Sequence, residues 1–333
     1  MIGVTTVVAA EALGLPIRDP EGFLGPSWAR FPLLCFGAFL GDVVPRASWR
    51  ARRAPRTFMI EARKIVDEHW SKDRIGLVVI GLGSFYVTYV SYRNLKSFLP
   101  FIREGRQDQL LQDLDSFLFF GSDPAVLLHG LLGEGITAHV LSFVYLFFLP
   151  FVPLSLTAWL VWARNITYGY WFVTAQCLCW ALGTASYYAI PSLGPVFKSP
   201  WLFTDLADTP VASLQDSLFN SRVDVLFNPF SADGVQSVAG FASLHVAIVL
   251  CTALIAHYTV RHAWIRWSMW VFFALTVLAT IYFGWHYIAD DVAGAAIAVL
   301  AVWLGGLATG QQFDRHGMAS HPTTSTTDVP VED

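Results

Sequence analysis

The chain has 333 residues and a formal net charge of −4; 55% of its residues are hydrophobic and only 14% charged, and its mean hydropathy is +0.51. Soluble domains carry about a quarter charged residues, so the charge here is too sparse to cover a water-facing surface, and long apolar blocks exclude a disordered chain. The acidic balance excludes a nucleic-acid binder, while 13 Trp, 11 Tyr and 26 Phe suit bilayer interfaces.

The segment Met1 to Leu15 lacks a basic stretch and contains Glu11, so no cleaved signal peptide is expected. Phe31 to Val44 is apolar but short, contains Asp42 near its end, and reads as interfacial or re-entrant. Residues 55–72 set Phe58, Met59, Ile65, Val66 and Trp70 among Arg56, Arg63, Lys64 and Lys72. This is the pattern of an amphipathic helix lying on a membrane surface, with a partner-binding helix as the other reading. A helix needs about 20 mostly apolar residues to cross the hydrocarbon. Six segments qualify: 75–92, 136–160, 166–190, 238–259, 264–285 and 288–308. From Gln311 the tail is rich in Ser, Thr and Pro and reads as disordered. The expected protein is all-α and polytopic. An N-terminal region over 1–74 precedes a six-helix catalytic core over 75–308, which contains a long loop at 191–237, and a tail follows over 309–333.

Cys35, Cys177, Cys179 and Cys251 lie in apolar stretches and read as small buried hydrophobes, not as a disulfide, metal or redox set. Lys and Arg set the orientation. One side holds Arg18, Arg30, Arg46, Arg50, Arg52, Arg53, Arg56, Arg63, Lys64, Lys72, Arg74, Arg164, Arg261, Arg266 and Arg315. The other holds only Arg93, Lys96, Arg103, Arg106, Lys198 and Arg222, diluted by aspartates such as Asp108, Asp113 and Asp115. Both termini are therefore expected in the cytoplasm, with the 191–237 loop outside.

Ionisable groups at membrane depth mark function by default, and three converge. His245 sits near the outer end of the fourth span, His286 at the outer end of the fifth, and Asp290 begins the sixth. If 286–290 is helical, the i to i+4 spacing stacks imidazole and carboxylate on one face. A carboxylate bonded to one ring nitrogen fixes the tautomer and leaves the other free to attack phosphorus. A second histidine then protonates the leaving oxygen. From residue types alone, a metal site and plain polar pairing between helices also remain open.

The run Phe241-Ala242-Ser243-Leu244-His245, with His286-x-x-x-Asp290 followed by Val292-Ala293-Gly294, resembles the type 2 phosphatidic acid phosphatase (PAP2) superfamily. Ser-Leu-His in place of the phosphatase Ser-Gly-His resembles its inositol-phosphorylceramide synthase and sphingomyelin synthase branch. As an architecture the likeness covers about 75–308, but its specific motifs occupy only 240–294. It implies His286 as nucleophile, Asp290 as its orienting partner, His245 as general acid, and metal-independent chemistry on lipid phosphates at the extracytoplasmic face, with no cofactor.

The phosphatase pattern places Ser-Arg six and five residues before the nucleophile, where this chain has Thr280 and Ile281. The first phosphatase motif, a Lys followed later by Arg-Pro, is also missing. A buried phosphate needs donors, and the candidates are Arg93, Lys96, Lys198, Arg222 and Ser243. For Arg93 and Lys96 the competing reading is snorkelling anchorage. Arg222 lies in 211–227, where Val211, Leu214, Leu218, Phe219 and Leu226 suggest an amphipathic helix that covers the pocket; its competing reading is a solvated arginine. Asp291 reads as a helix-start charge, and 190–195 as a turn closing the third span. His139 and Glu134 stand near the outer mouth of the second span, while His257 is a bystander.

The expectation is transfer of a phospho-head-group from a phospholipid donor to a lipid alcohol, with dephosphorylation of a lipid or polyprenyl phosphate as the alternative. A non-enzymatic lipid-binding protein with a degenerate site is the third reading. Its partners are membrane lipids and not nucleic acid.

Overall fold

The computed structural model describes residues 1–19, 27–163, 165–230, 235–238, 240–313 and 319–320. Among these the helices are α1 (Ile2–Leu13), α2 (Ser27–Ala51), α3 (Phe58–His69), α4 (Lys72–Ile102), α5 (Asp108–Leu118), α6 (Pro124–Leu132), α7 (Ile136–Thr157), α8 (Ile166–Ala189), α9 (Pro195–Lys198), α10 (Pro210–Phe227), α11 (Leu244–Thr259), α12 (Ala263–Tyr282) and α13 (Ile288–Ala308). A π turn over Ala158–Trp162 extends α7. The sole strand pairing among the described residues joins Gln312–Phe313 to Ala319–Ser320. The protein is an all-α polytopic membrane protein. Arg164, Arg315 and most of the tail expected to be disordered lie outside the described residues.

Each of the six expected spans is a helix. Four segments are long and apolar enough to cross a membrane: Lys72–Ile102, Ile136–Trp162, Ala263–Tyr282 and Ile288–Ala308. The other two, α8 and α11, run within the same bundle, α11 being only 16 residues long. The bounds differ from expectation where the chemistry lies. Helix α11 starts at Leu244 instead of 238, and α12 ends at Tyr282 instead of 285, leaving Ser243 and His286 on loops.

The core is built on α8, which packs against α4, α11 and α13. Trp171, Phe172, Ile248 and Ile255 are fully buried there, with Cys179 and Cys251 among them. Helix α13 buries Gly294, Ala298, Ala301 and Gly305, small residues at helical spacing that let neighbouring backbones approach. A Cβ on Gly294 would stand 2.3 Å from the Ser243 carbonyl oxygen. That close approach binds the starts of α11 and α13 together, and Asp290 lies one turn before it.

The N-terminal region departs from the sequence reading. The apolar stretch expected over Phe31 to Val44 is part of one helix of 25 residues that runs on past Asp42, whose buried carboxylate is paired by Arg46 at 2.7 Å and by the Trp70 indole at 3.0 Å. Helix α3 lies within the expected 55–72, but its Ile65 packs with Val43 and Ala47 of α2, joined by Phe58, Ala62 and Val66. Much of its apolar face is therefore taken by protein. Helix α1, which no sequence signal marked, packs along α4 through Ala10, Leu95 and Phe98.

Arg18 is a correction to the charge count. Its N–H donates to Asn94 Oδ1 at 2.8 Å, and its guanidinium donates to the Pro229 carbonyl at 3.0 Å. It thus belongs to the end of the bundle shared by Lys96 and the 191–237 loop, opposite the end where Arg74 bonds the Leu160 carbonyl. Exposed Glu11, Lys198 and Lys72 report on these ends. A membrane-impermeant maleimide applied to sealed vesicles is expected to label Glu11→Cys and Lys198→Cys from one side and Lys72→Cys from the other. Labelling of positions 11 and 72 from the same side would contradict this arrangement.

Candidate active site

Helix α12 stops at Tyr282, and Gly284 adopts φ +65, a conformation glycine reaches without steric penalty. Its bare Cα lies against Phe203, where a Cβ would meet the ring at 2.2 Å. The N–H groups of Gly284 and Trp285 donate back to the carbonyls of Ile281 and Thr280, both at 2.9 Å, closing the turn. His286 follows, and Tyr287 is the N-cap of α13.

Asp290 occupies the third position of that helix. Its Oδ2 accepts the Tyr287 N–H at 3.0 Å and lies 3.4 Å from His286 Nδ1. The pair was expected from a helical 286–290, but His286 precedes the helix. The contact arises because an acid at the third helical position reaches back to the N-cap, where the helix dipole also favours negative charge. Asp290 is fully buried, and its Oδ1 has no hydrogen-bond partner among the described residues.

Ser243 is the N-cap of α11, its Oγ accepting the Val246 N–H at 3.4 Å, and its own N–H donates to the Asp290 carbonyl at 2.9 Å. His245 is therefore delivered beside the pair, its ring centroid 6.4 Å from that of His286. Its imidazole packs on two rings of α7, Phe148 at 4.1 Å and Tyr145 at 4.4 Å. Tyr145 stacks in turn on Trp285 at 5.1 Å with planes 2° apart. Both Tyr145 and Trp285 were missed in the sequence; the only signal was that Trp285 adjoins His286.

Three aspartates were also undervalued. Asp108 is buried and accepts the N–H groups of Leu193 and Gly194 at 2.8 and 3.0 Å and the Tyr287 hydroxyl at 3.3 Å. Asp115 accepts the Ile288 N–H at 3.3 Å, covering the first residue of α13. Asp291 lies in the first turn of α13, as expected of a helix-start charge, but it is also buried and accepts the Thr280 hydroxyl at 2.9 Å. The expected turn at 190–195 is a hub. Its Ser192 hydroxyl accepts the Phe241 N–H at 2.9 Å, and its carbonyl accepts that of Gly240 at 2.8 Å.

The candidate cations separate. Lys96 is buried, donates to the Tyr92 hydroxyl at 3.3 Å and lies 4.9 Å from the Tyr187 ring centroid; like His286, it is a neighbour of His245. Arg222 donates to Gln236 Oε1 at 3.3 Å, and the Gln236 amide donates to the Lys96 carbonyl, so α10 brings Arg222 to the same corner. Burial, and next the charge of Arg106, push Arg222 down to about 10, while Asp108 draws it up. Along α10, Val211, Leu214 and Leu218 pack inward as expected, whereas Phe219 and Leu226 are exposed.

Arg93 is turned to the Tyr89 hydroxyl at 3.1 Å. Exposed Lys198 forms no hydrogen bond or ion pair with His245, His286 or Asp290. His139 lines a separate groove of about 400 Å³ on α7, and Glu134 and His257 are exposed.

Among the described residues no group of three or more His, Cys, Asp or Glu side chains is arranged to hold a metal ion. A model of the PAP2 superfamily matches residues 109–304, well over half of the chain, so this chain belongs to the PAP2 superfamily. Membership indicates a phosphatase or phosphotransferase acting on lipids. No curated protein and no solved structure matches the chain.

Burial, with Asp290 among its charged neighbours, lifts the Asp115 carboxyl to about 7 from its ordinary 3.8, against the lowering effect of the Ile288 N–H. A raised carboxyl pKa means that the folded protein keeps this proton where the unfolded chain has lost it. Stability contributed at acid pH is then lost as pH rises from about 4 to about 7. The thermal midpoint of the wild type is expected to fall between about pH 4 and about pH 7 relative to that of Asp115→Asn. Parallel curves for the two proteins would contradict the assignment.

Proposed function

We propose that this protein moves a phospho-head-group from a phospholipid to a lipid alcohol through a phosphohistidine intermediate, as in the inositol-phosphorylceramide and sphingomyelin synthase branch of its superfamily. The observation that carries this reading is the meeting of a carboxylate-held His286 with His245 in a site whose phosphatase arginine position is filled by Ile281. Ile281 is buried, and the neighbouring Thr280 hydroxyl is engaged by Asp291, so neither supplies a cation.

In the first step Asp290 holds the Nδ1–H of His286, and Nε2 attacks the phosphorus. The bond from phosphorus to the diacylglycerol oxygen breaks, and that oxygen takes a proton from His245. In the second step the lipid alcohol attacks the same phosphorus, its proton passes to His245, and the bond to His286 breaks. Ring centroids 6.4 Å apart leave room for one phosphoryl group, with reacting atoms about 3 Å from each imidazole. Lys96 and Arg222 are the cations best placed for the phosphate oxygens, with Ser243 at the α11 N-terminus. That helix end also favours an anion.

The charge count supports an extracytoplasmic site, with the C-terminal end and the loop near Arg261 and Arg266 in the cytoplasm. The contacts of Arg18 favour assigning the segment around it to the site's side, not to the cytoplasm.

Mass spectrometry of products tests the reading. The donors are phosphatidylinositol, phosphatidylcholine, phosphatidylethanolamine and phosphatidic acid, each with and without a lipid alcohol, beside His286→Ala. A new phosphodiester that requires the alcohol and is lost in the variant is expected. Release of phosphate or head group without the alcohol would make the protein a hydrolase. Turnover unchanged in His286→Ala would remove the site altogether.

Asp290→Asn is expected to leave KM nearly unchanged while lowering kcat about a thousandfold, about 4 kcal/mol of transition-state stabilisation. Steady-state kinetics check this, and a loss of only about tenfold would show that Asp290 does not orient the nucleophile.

A further inference from the structure

The segment between α4 and α7 reads in sequence as an outer loop diluted by acids, but its folded form has a different character. Helix α5 presents three faces. Asp108, Leu111 and Asp115 are buried against the protein. Gln109 and Asp113 are exposed and joined by a hydrogen bond of 2.9 Å. On a third face, Leu110, Leu114 and Phe117 are 60%, 40% and 80% exposed. At 100° per residue the exposed polar pair lies beside the exposed apolar row. A helix with one side for protein, one for water and one for hydrocarbon suits a bilayer interface.

The turn that follows is tipped by a fully exposed Phe120, and α6 carries no Asp, Glu, Lys or Arg yet exposes Leu127 and Leu131. The hairpin is joined to membrane-length helices at both ends, through residues 103–107 to α4 and 133–135 to α7. That continuity makes the covering partner a lipid leaflet and not another protein.

The inner face of the same hairpin grips both sides of the His286 loop. Asp108 and Asp115 hold Tyr287 and Ile288, as described. The His129 ring donates to the Tyr282 carbonyl at 2.8 Å, and the Tyr282 hydroxyl donates to the Gly133 carbonyl at 2.8 Å.

We propose that α5 and α6 form an interfacial hairpin, seated in the leaflet through Leu110, Leu114, Phe117, Phe120, Leu127 and Leu131, and that this seating sets the depth at which the His286 loop meets lipid head groups. The seating stands independently of the phosphotransfer reading; only its effect on turnover rests on that reading.

The test places a fluorophore at Phe117→Cys, Phe120→Cys and, on the polar face, Asp113→Cys, in the full chain with Cys35→Ser and the labelled Cys35→Ser chain as background. The proteins are reconstituted in nanodiscs containing phosphatidylcholine spin-labelled near the head of its acyl chain. Quenching at 117 and 120 at least about threefold stronger than at 113 is expected. Equally weak quenching at all three positions would overturn the seating, as would protection of 117 by dimerisation.

Phe117→Ser combined with Phe120→Ser then tests the coupling. Turnover of a phospholipid held in bilayers is expected to fall about tenfold, with turnover of its short-chain analogue in detergent unchanged. Equal losses on both substrates would overturn the depth-setting role. A wild type inactive on either form would count against phosphotransfer while leaving the quenching result intact.

Discussion

The site depends on one buried carboxylate doing two jobs. Asp290 caps the start of α13 by accepting the Tyr287 N–H, and the same oxygen faces His286 Nδ1. An acid at the third helical position satisfies the N-cap amide, so the position of the His286 ring is tied to the formation of the helix itself. The Asp290 carbonyl also accepts the Ser243 N–H, and Gly294 one turn later admits the Ser243 backbone. Helix starts that must touch for packing reasons therefore bring His245 to His286.

Around that junction the protein arranges its polar groups in layers. Asp108 and Ser192 accept backbone N–H groups from the loops at 193–194 and 240–241, and Asp115 accepts that of Ile288 at the start of α13. Irregular backbone at this depth needs such partners, since an unpaired buried amide is costly. Aromatic stacking through Trp285, Tyr145 and His245 gives the His245 imidazole a fixed ring plane without consuming its nitrogens. Lys96 is boxed by Tyr92 and Tyr187 close to His245.

Much of this was legible in the sequence. Six apolar blocks marked six helices, and the ionisable residues His245, His286 and Asp290 stood out because charge is rare in such blocks. The reason for the His286–Asp290 contact was not legible, because Gly284 ends α12 early and turns a presumed helical pair into a capping contact. The inward roles of Asp108, Asp115 and Asp291 were hidden, since the partners that bury these acids are distant in the chain. Arg18 was assigned by position along the chain, whereas its contacts with Asn94 and Pro229 depend on tertiary folding. Helix α1 had no charge pattern to mark it.

The central claim is that His286 carries the phosphoryl group between two lipids. The direct measurement is mass spectrometry of the His286 peptide after rapid neutral or alkaline quench of the protein with phospholipid donor and no acceptor. An acid-labile phospho-head-group adduct is expected on His286, discharged when a lipid alcohol is added and not formed in Asp290→Asn on the same time scale. Turnover with no adduct at His286, or an adduct on another residue, would contradict it.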